Sequence, residues 1–198
     1  CWIKNGTIIS RLPVGTTAVT RNLTAERPTD APAGAPFLEV IQAVQNPLNQ
    51  CPLVADKITH VRAYARIAAS SAGETSLMPS PPIVLHGTRG GVALPGSPLT
   101  PSAFPSPPPP LGTAAGTRTA GATGTSATSG YWFRLPPAWT AEGTISLTSE
   151  VNPGRTMAET SYADNFSPAV TAAFTQKVPI GLKLIPTVTH FGTISRYQ

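Results

Sequence analysis

Three histidines, His60, His86 and His190, are the side chains of this chain best suited to bind a metal ion or move a proton. Zinc peptidases place two histidines and a glutamate in an H-E-x-x-H motif on one helix, and no histidine here has that spacing. The sequence also lacks a G-x-S-x-G serine turn, and the glycine-rich stretch 87–91 lacks the Lys-Ser/Thr ending of a phosphate-binding loop. We therefore expect isolated surface histidines, a wide turn at these glycines, no cofactor and no enzymatic activity.

An acidic cluster later in the chain could bind calcium. Glu159, Asp164 and Asn165 offer the carboxylate and amide oxygens that Ca²⁺ prefers, although their spacing does not match an EF-hand loop. Asx turns and hydrogen bonds at strand ends explain the same residues. Metal binding and local hydrogen bonding therefore both stay open here, and no other metal site is expected.

The three tryptophans could form a platform for sugar rings or fill the core. Trp132 alternates with aromatic neighbours on a strand, and Trp139 follows two prolines at a corner. For the three tryptophans, Trp2, Trp132 and Trp139, core or interface packing is therefore favoured over sugar stacking.

The two cysteines, Cys1 and Cys51, predict one disulfide in an extracellular chain. Closing a loop of this length would stabilise the fold by about 4 kcal/mol in the chain-entropy treatment. Two unrelated thiols, or a lipidated Cys1 beside a free Cys51, are the alternatives. A chain that begins with cysteine is expected to be a processed protein or part of a longer one.

Composition favours short strands over helices. Only 12% of the 198 residues are charged, and 23 prolines and 17 glycines interrupt helical hydrogen bonding. The formal charge of +5 is scattered along the chain, so no nucleic-acid partner is expected. No stretch approaches the roughly 18 apolar residues that a membrane-spanning helix needs.

Several segments alternate apolar and polar side chains with the period of a β-strand. In 58–67 the apolar residues are expected to face a core and the others to face outward, and 37–45, 144–151 and 169–175 follow the same pattern. The expected inward set is Val61, Ala63, Ala65, Ile67, Ile145, Leu147, Val151, Val170, Ala172 and Phe174; the outward set includes His60, Arg62, Tyr64 and Arg66. With further short strands at 83–85, 92–94, 131–135, 180–185 and 187–194, the sequence predicts an all-β fold. We expect an antiparallel immunoglobulin-like β-sandwich of about seven or eight strands.

The segments divide into an extended amino-terminal arm (1–36), in which 16–24 can form an edge strand, the sandwich (37–190) and a carboxyl-terminal tail (191–198). A Pro/Gly/Thr-rich loop at 95–130 interrupts the sandwich, and loops of this length are usually functional or disordered. We expect this loop to be glycosylated or to pack on a neighbouring subunit. Its candidate interaction residues are Pro107, Pro110, Thr117, Thr119, Thr123 and Thr125.

The order of residues in 37–66 and 131–153 resembles that of a known family. The chain is similar to CARDB/adhesion-type immunoglobulin-like domains of large secreted bacterial proteins. The similar segments are 39–45 (EVIQAVQ), 52–57 (PLVADK), 61–64 (VRAY), 133–139 (FRLPPAW) and 151–153 (VNP), followed by Glu159 and Asp164-Asn165. Such modules often stand beside zinc metallopeptidase-like domains. The similarity covers about 37–190, while the 95–130 loop and the arm depart from it. The resemblance implies the fold and an extracellular setting, with no chemistry of its own.

These features favour a non-catalytic extracellular or cell-surface module with a structural or adhesive role. Its expected partners are copies of itself or another surface protein, with possible glycans. The arms (1–36 or 186–198) could add a strand to a neighbouring copy and so build a filament. An accessory domain of a secreted metallopeptidase and a carbohydrate-binding module are the alternatives.

Overall fold

The computed structural model describes residues 2–4, 7–10, 21–27, 31–70, 81–102 and 130–176, and within them the chain is almost entirely β-structure. The strands are β1 (Trp2–Lys4), β2 (Thr7–Ser10), β3 (Arg21–Glu26), β4 (Glu39–Ile41), β5 (Leu53–Val54), β6 (His60–Ser70), β7 (Ile83–Arg89), β8 (Val92–Ala93), β9 (Tyr131–Arg134), β10 (Gly143–Val151) and β11 (Val170–Thr175). One short helix, α1 (Pro137–Thr140), precedes β10, and a 3₁₀ turn (Pro153–Arg155) follows it. The all-β prediction is therefore confirmed.

The first sheet has the strand order β5-β11-β10-β7-β8 and is antiparallel except where β11 meets β5. Side chains along β10 and β11 are alternately buried and accessible, as the sequence pattern predicts. The expected inward residues Ile145, Leu147, Val151, Val170, Ala172 and Phe174 are all buried.

The second sheet is built around β6. Strands β4 and β9 pair with the first residues of β6, and β3 pairs with its later residues from Tyr64 to Ser70. All these pairings are antiparallel. Because β4 and β9 both pair with residues 60–62, they lie on opposite edges of β6.

The two sheets share one hydrophobic core, as expected for a β-sandwich. The second sheet contributes Leu23, Val40, Val61, Ala63 and Phe133, and the first contributes Ile83, Leu85, Ile145, Leu147 and Phe174. Trp139 from α1 joins this core and is fully buried. The prediction of core packing for Trp139 is confirmed.

The amino-terminal arm is partly built into the sandwich. Strand β3 lies in the segment assigned to the arm and overlaps the edge strand expected at 16–24. Its residues Leu23 and Ala25 are buried in the core. Strand β3 thus pairs with β6 in the second sheet, while the division of the chain into an arm (1–36), a sandwich (37–190) and a tail (191–198) stays a prediction.

Strand β4 is shorter than the 37–45 alternation suggests, because side-chain amides replace the backbone ladder. Gln42 donates from Nε2 to the carbonyl of Val54 (2.7 Å) and accepts from its N–H (2.9 Å). Asn49 accepts a 3.2 Å hydrogen bond at Oδ1 from the Val40 N–H and donates from Nδ2 at 2.8 Å to the carbonyl of Leu38. An amide side chain carries the same donor and acceptor as a peptide unit, so the turn after β4 closes without a regular strand.

Part of the 95–130 loop is attached to the first sheet. Leu99 exchanges two backbone hydrogen bonds with Leu85, at 2.8 and 2.9 Å. Other predictions lie outside the described residues: Cys1, the interaction residues within 103–129, the strands at 180–185 and 187–194, His190 and the tail 191–198. Within the described ranges, no helix is long and apolar enough to cross a membrane.

Candidate functional site

The face of the second sheet that points away from the core carries charged and aromatic side chains. Residues in direct register lie side by side on one face. On this face three pairs lie side by side across neighbouring strands: Thr24–Arg66, Glu26–Tyr64 and Glu39–Arg62. On the other edge of β6, Trp132 of β9 lies beside Arg62, and Arg134 lies beside His60. We call this surface the charged face.

Arg62 lies at the centre of the charged face. Its Cζ atom is 5.0 Å from the ring centroid of Tyr64 and 5.1 Å from that of Trp132. Its Nη1 atom is 3.6 Å from Glu39 Oε2, which also accepts a 3.0 Å hydrogen bond from the Tyr64 hydroxyl. The guanidinium is thus held by one carboxylate and two aromatic rings, the surroundings that suit a buried arginine.

The charged face corrects one expectation from the sequence. His60, Arg62, Tyr64 and Arg66 do lie opposite the core-facing residues, as predicted. Arg62 and Tyr64 are nevertheless only 5% and 2% exposed, and Glu39 is buried beside them. Period-two alternation predicts which face a side chain occupies, and it carries no information about what covers that face.

The residues that flank 103–129 meet at this face. Ser102 donates from its backbone N–H to the carbonyl of Trp132 at 2.7 Å, and its hydroxyl reaches the same oxygen at 3.1 Å. Gly130 lies against Arg62, since a Cβ there would be 3.2 Å from Arg62 Cγ. We call Ser102, Gly130 and Trp132 the loop stem.

His60 lies at the edge of the charged face beside Trp132, with the two ring centroids 6.4 Å apart and nearly perpendicular. Desolvation by burial, and then the positive charge of Arg134, lower the pKa of His60 below its usual value of 6.5. Both effects disfavour the imidazolium, so this histidine favours its neutral form.

The acidic cluster forms a clamp that joins the segment after β10 to strand β3. Glu159 accepts hydrogen bonds at Oε1 from the side-chain amides of Asn152 and Asn165, and at Oε2 from the backbone N–H of Leu23 (2.7 Å). Asp164 accepts from the Asn22 amide at 2.7 Å. We call these five side chains (Asn22, Asn152, Glu159, Asp164 and Asn165) the polar clamp.

The proposed calcium ligands thus do come together, but both Glu159 carboxylate oxygens face N–H donors. Among the described residues, no group of three or more His, Cys, Asp or Glu could hold a metal ion. Calcium binding stays a prediction, and the geometry places these side chains in hydrogen bonds between the sheets.

We expect Glu159→Gln to destabilise the fold by about 2–3 kcal/mol. The substitution replaces one acceptor oxygen with an NH₂ group, which must face either the Leu23 N–H or the two asparagine amides. The free energy of unfolding, measured by denaturant titration, checks this expectation. Glu142→Gln is the matched control because Glu142 is exposed, and equal effects of the two substitutions would contradict the clamp.

The remaining candidate residues are more dispersed. His86 was expected to be isolated, but its Nε2 atom lies 2.7 Å from Glu150 Oε2 and its ring is tilted against that of Phe166.

Cys51 is half-buried and makes no disulfide within the described part of the chain. Because Cys1 lies outside that part, the disulfide stays a prediction.

The glycines at 87–91 serve packing and a tight turn. Gly90 and Gly91 have φ values of +57° and +81° between β7 and β8, the left-handed geometry of a two-residue hairpin turn. Gly87 instead lies within β7, against the Trp139 ring. The expected wide turn is therefore wrong, because β7 continues to Arg89 and leaves only two residues to reverse the chain.

Comparison with known proteins assigns this chain to no family. A scan against protein families and a search of curated proteins give no match. Among solved structures, the chain is similar to the CARDB domain of a protein from Pyrococcus furiosus, crystallised in complex with di-metal ions. The two share 11% identity over 80% of this chain and 96% of that chain, with a TM-score of 0.39. The resemblance of the sequence to CARDB-type domains stays a prediction.

Proposed function

We propose that this chain is a non-catalytic structural or adhesion module of an extracellular protein, in which a rigid sandwich presents the 103–129 segment to a partner. The observation that supports this most directly is the loop stem. Because Ser102 is hydrogen-bonded to Trp132, the residues on either side of 103–129 lie next to each other on the sandwich. A long insertion anchored in this way on a rigid scaffold is a common arrangement for binding.

The polar side chains support a structural role for the rest of the domain. Glu159 and Asp164 join strand β3 to the segment after β10, and Arg62 and Glu39 hold each other beneath the loop stem. These charges are used within the fold: Glu159 and Asp164 bind β3 to the segment after β10. Glu39 and Arg62 bind β4 to β6. Such rigidity is what a scaffold requires if it is to hold an interaction loop.

The expected partner is a second copy of the chain or another surface protein. The 103–129 segment has a single charged residue, Arg118, and is otherwise rich in Pro, Thr, Ala and Gly. Such a segment can pack on a neutral surface or carry sugars on its hydroxyls. A filament joined by exchange of arms is the finer form of this proposal, and it would use parts of the arms other than β3, which pairs with β6 of its own chain.

Replacing residues 103–129 with a short Gly-Ser linker tests the proposal. We expect the unfolding temperature to be unchanged, because the core and the loop stem are retained, and self-association to be lost in a concentration series by sedimentation velocity. A chain with a Gly-Ser insert of the original length is the control for loop length, and it should also stay monomeric.

Self-association that is equal in the intact and the loop-replaced chain would contradict the role of the loop. Hydrolysis of peptide or glycoside substrates by the purified chain would contradict the non-catalytic assignment. The accessory-domain alternative stays a prediction. The sugar-binding alternative has no support from Trp132 and Trp139, because one is stacked on Arg62 and the other is buried.

A further inference from the structure

The face of the first sheet that points away from the core is rich in hydroxyl groups and carries few charges. Along β7, β10 and β11, the side chains of this face alternate with the core residues. They are Val84, His86, Thr88, Thr144, Ser146, Thr148, Glu150, Thr171, Ala173 and Thr175. We call this surface the outer face. It lies on the side of the sandwich opposite the charged face and the loop stem.

Phe166 is an exposed aromatic residue at one end of the outer face. A β-bridge pairs it with Glu150 of β10, so the two side chains lie on the same face of the sheet. Phenylalanine is usually buried, yet Phe166 is 52% exposed. Its ring centroid lies 6.1 Å from that of His86, and the two rings are inclined by 38°. The ring therefore offers an apolar surface to solvent beside two polar side chains.

Glu150 and His86 hold each other in place beside this ring. The His86 Nε2 atom lies 2.7 Å from Glu150 Oε2. Because a carboxylate only accepts hydrogen bonds, Nε2 carries the proton of this pair. Glu150 Oε1 and His86 Nδ1 have no hydrogen-bond partner within the described part of the chain. Both side chains are partly exposed, so the pair offers positioned polar atoms next to the aromatic ring.

The charge of the outer face selects an uncharged ligand. Among its side chains, Glu150 is the only carboxylate and His86 the only other titratable group, and the rest carry hydroxyl or methyl groups. The carboxylate repels an anion, and a cation would have to compete with His86 for it. A neutral molecule that bears hydroxyl groups can instead donate to Glu150 Oε1 and leave the pair intact.

A sugar ring matches both the aromatic and the polar part of this site. A pyranose has a face of C–H groups that packs on an aromatic ring, and hydroxyls around its edge that bond to polar side chains. Thr148 lies beside His86 across the strands, and Thr88, Ser146 and Thr171 form the next row. Further hydroxyl groups therefore follow the site at the strand spacing of about 4.8 Å.

We propose that the outer face binds an uncharged sugar, with Phe166 as the stacking ring and Glu150 and His86 as the hydrogen-bonding pair. The site uses an aromatic residue other than the tryptophans, which are engaged elsewhere in the fold. It adds a second binding surface to the one proposed for the 103–129 segment, on the opposite side of the sandwich.

Titration of the ¹⁵N-labelled chain by NMR tests this site. The probes are the methyl glycosides of glucose, galactose, mannose and N-acetylglucosamine. The comparators are glucuronate as an anion, N-acetyl-arginine amide as a cation, and an acetylated tetraproline amide as a peptide that can stack on an aromatic ring. We expect at least one glycoside to shift the amide signals of 84–88, 148–150 and 166–167 saturably at millimolar concentration, and no comparator to do so.

Substitutions at the site give the second readout. Phe166→Ala should weaken binding of that glycoside by about tenfold or more, whereas Phe166→Tyr keeps the ring and should retain affinity within about twofold. Glu150→Ala should weaken binding by about fivefold or more. Val92→Ala is the matched control, because Val92 is an exposed apolar residue of β8 in the same sheet, and it should leave affinity unchanged.

Absence of saturable shifts with all four glycosides, equal binding of any comparator, or full affinity in Phe166→Ala would overturn the proposal. An equal loss in Phe166→Tyr and Phe166→Ala would also overturn it, because the ring would then not be the binding group. If Glu150→Ala fails to fold, the Phe166 variants decide, because that residue is exposed. The loop-replaced chain should bind the glycoside as the intact chain does, so failure of this proposal is distinguishable from failure of the proposed function.

Discussion

Gly87→Ala is expected to destabilise the fold by about 3 kcal/mol or more, although it adds a single methyl group. Gly87 lies in the middle of β7, opposite Leu147 of β10, with the indole of Trp139 packed over it. A Cβ at this position would overlap Trp139 Cζ3 and would lie 2.7 Å from Cη2 and 2.8 Å from Cε3. A Cβ atom essentially never lies within 3.0 Å of such atoms, so either the ring or the strand must move.

The indole has little freedom to move. Trp139 is fully buried, and its Nε1 donates a 2.8 Å hydrogen bond to the carbonyl of Pro95. Displacing the ring would strain or break this bond and open a void in a closely packed core. The expected loss therefore comes from overpacking, since the backbone of Gly87 has no positive φ that would exclude alanine.

A double-mutant cycle separates this cause from others. Trp139→Leu removes the indole and its hydrogen bond to Pro95, and should itself cost about 3–5 kcal/mol while leaving room for the alanine methyl group. Gly87→Ala should then cost much less in the Trp139→Leu background, with a coupling energy of about 2 kcal/mol in denaturant titrations. A cost that is equal in both backgrounds would show that the indole is not the obstacle.

Arg62→Leu is expected to destabilise the fold by about 3–5 kcal/mol. The substitution leaves the carboxylate of Glu39 buried, with the Tyr64 hydroxyl as a donor but without the guanidinium 3.6 Å away. It also removes the cation from between the rings of Tyr64 and Trp132. The dominant cost is the loss of the cation beside a buried carboxylate.

The Glu39→Leu/Arg62→Leu double variant tests that cause. With both charges gone, we expect much of the stability to return, because a buried ion pair and an apolar pair of similar volume have similar net stability. Arg134→Leu is the control: it removes an exposed arginine on the neighbouring strand and should change the free energy of unfolding by less than about 0.5 kcal/mol. A double variant that is less stable than Arg62→Leu would contradict a buried-charge origin.

The candidate site could be predicted only in part. The acidic cluster was identifiable because Glu159, Asp164 and Asn165 are close in sequence, but their partners Asn22 and Leu23 lie more than 130 positions earlier. The role of Gly87 was likewise hidden, since the ring that requires a glycine there belongs to a helix 52 positions later.

The sequence by itself determined that the chain is β-structure and which side chains face the core. Successive residues of a strand point to opposite faces, so the alternation in β10 and β11 carries that information locally. Only the tertiary structure decided that Arg62 and Tyr64 are buried on the far face and that Glu159 bonds to β3. Which side chains are buried, and which groups they bond to, depends on segments distant in sequence. The face of the sheet on which a side chain lies depends only on the backbone geometry of its own strand.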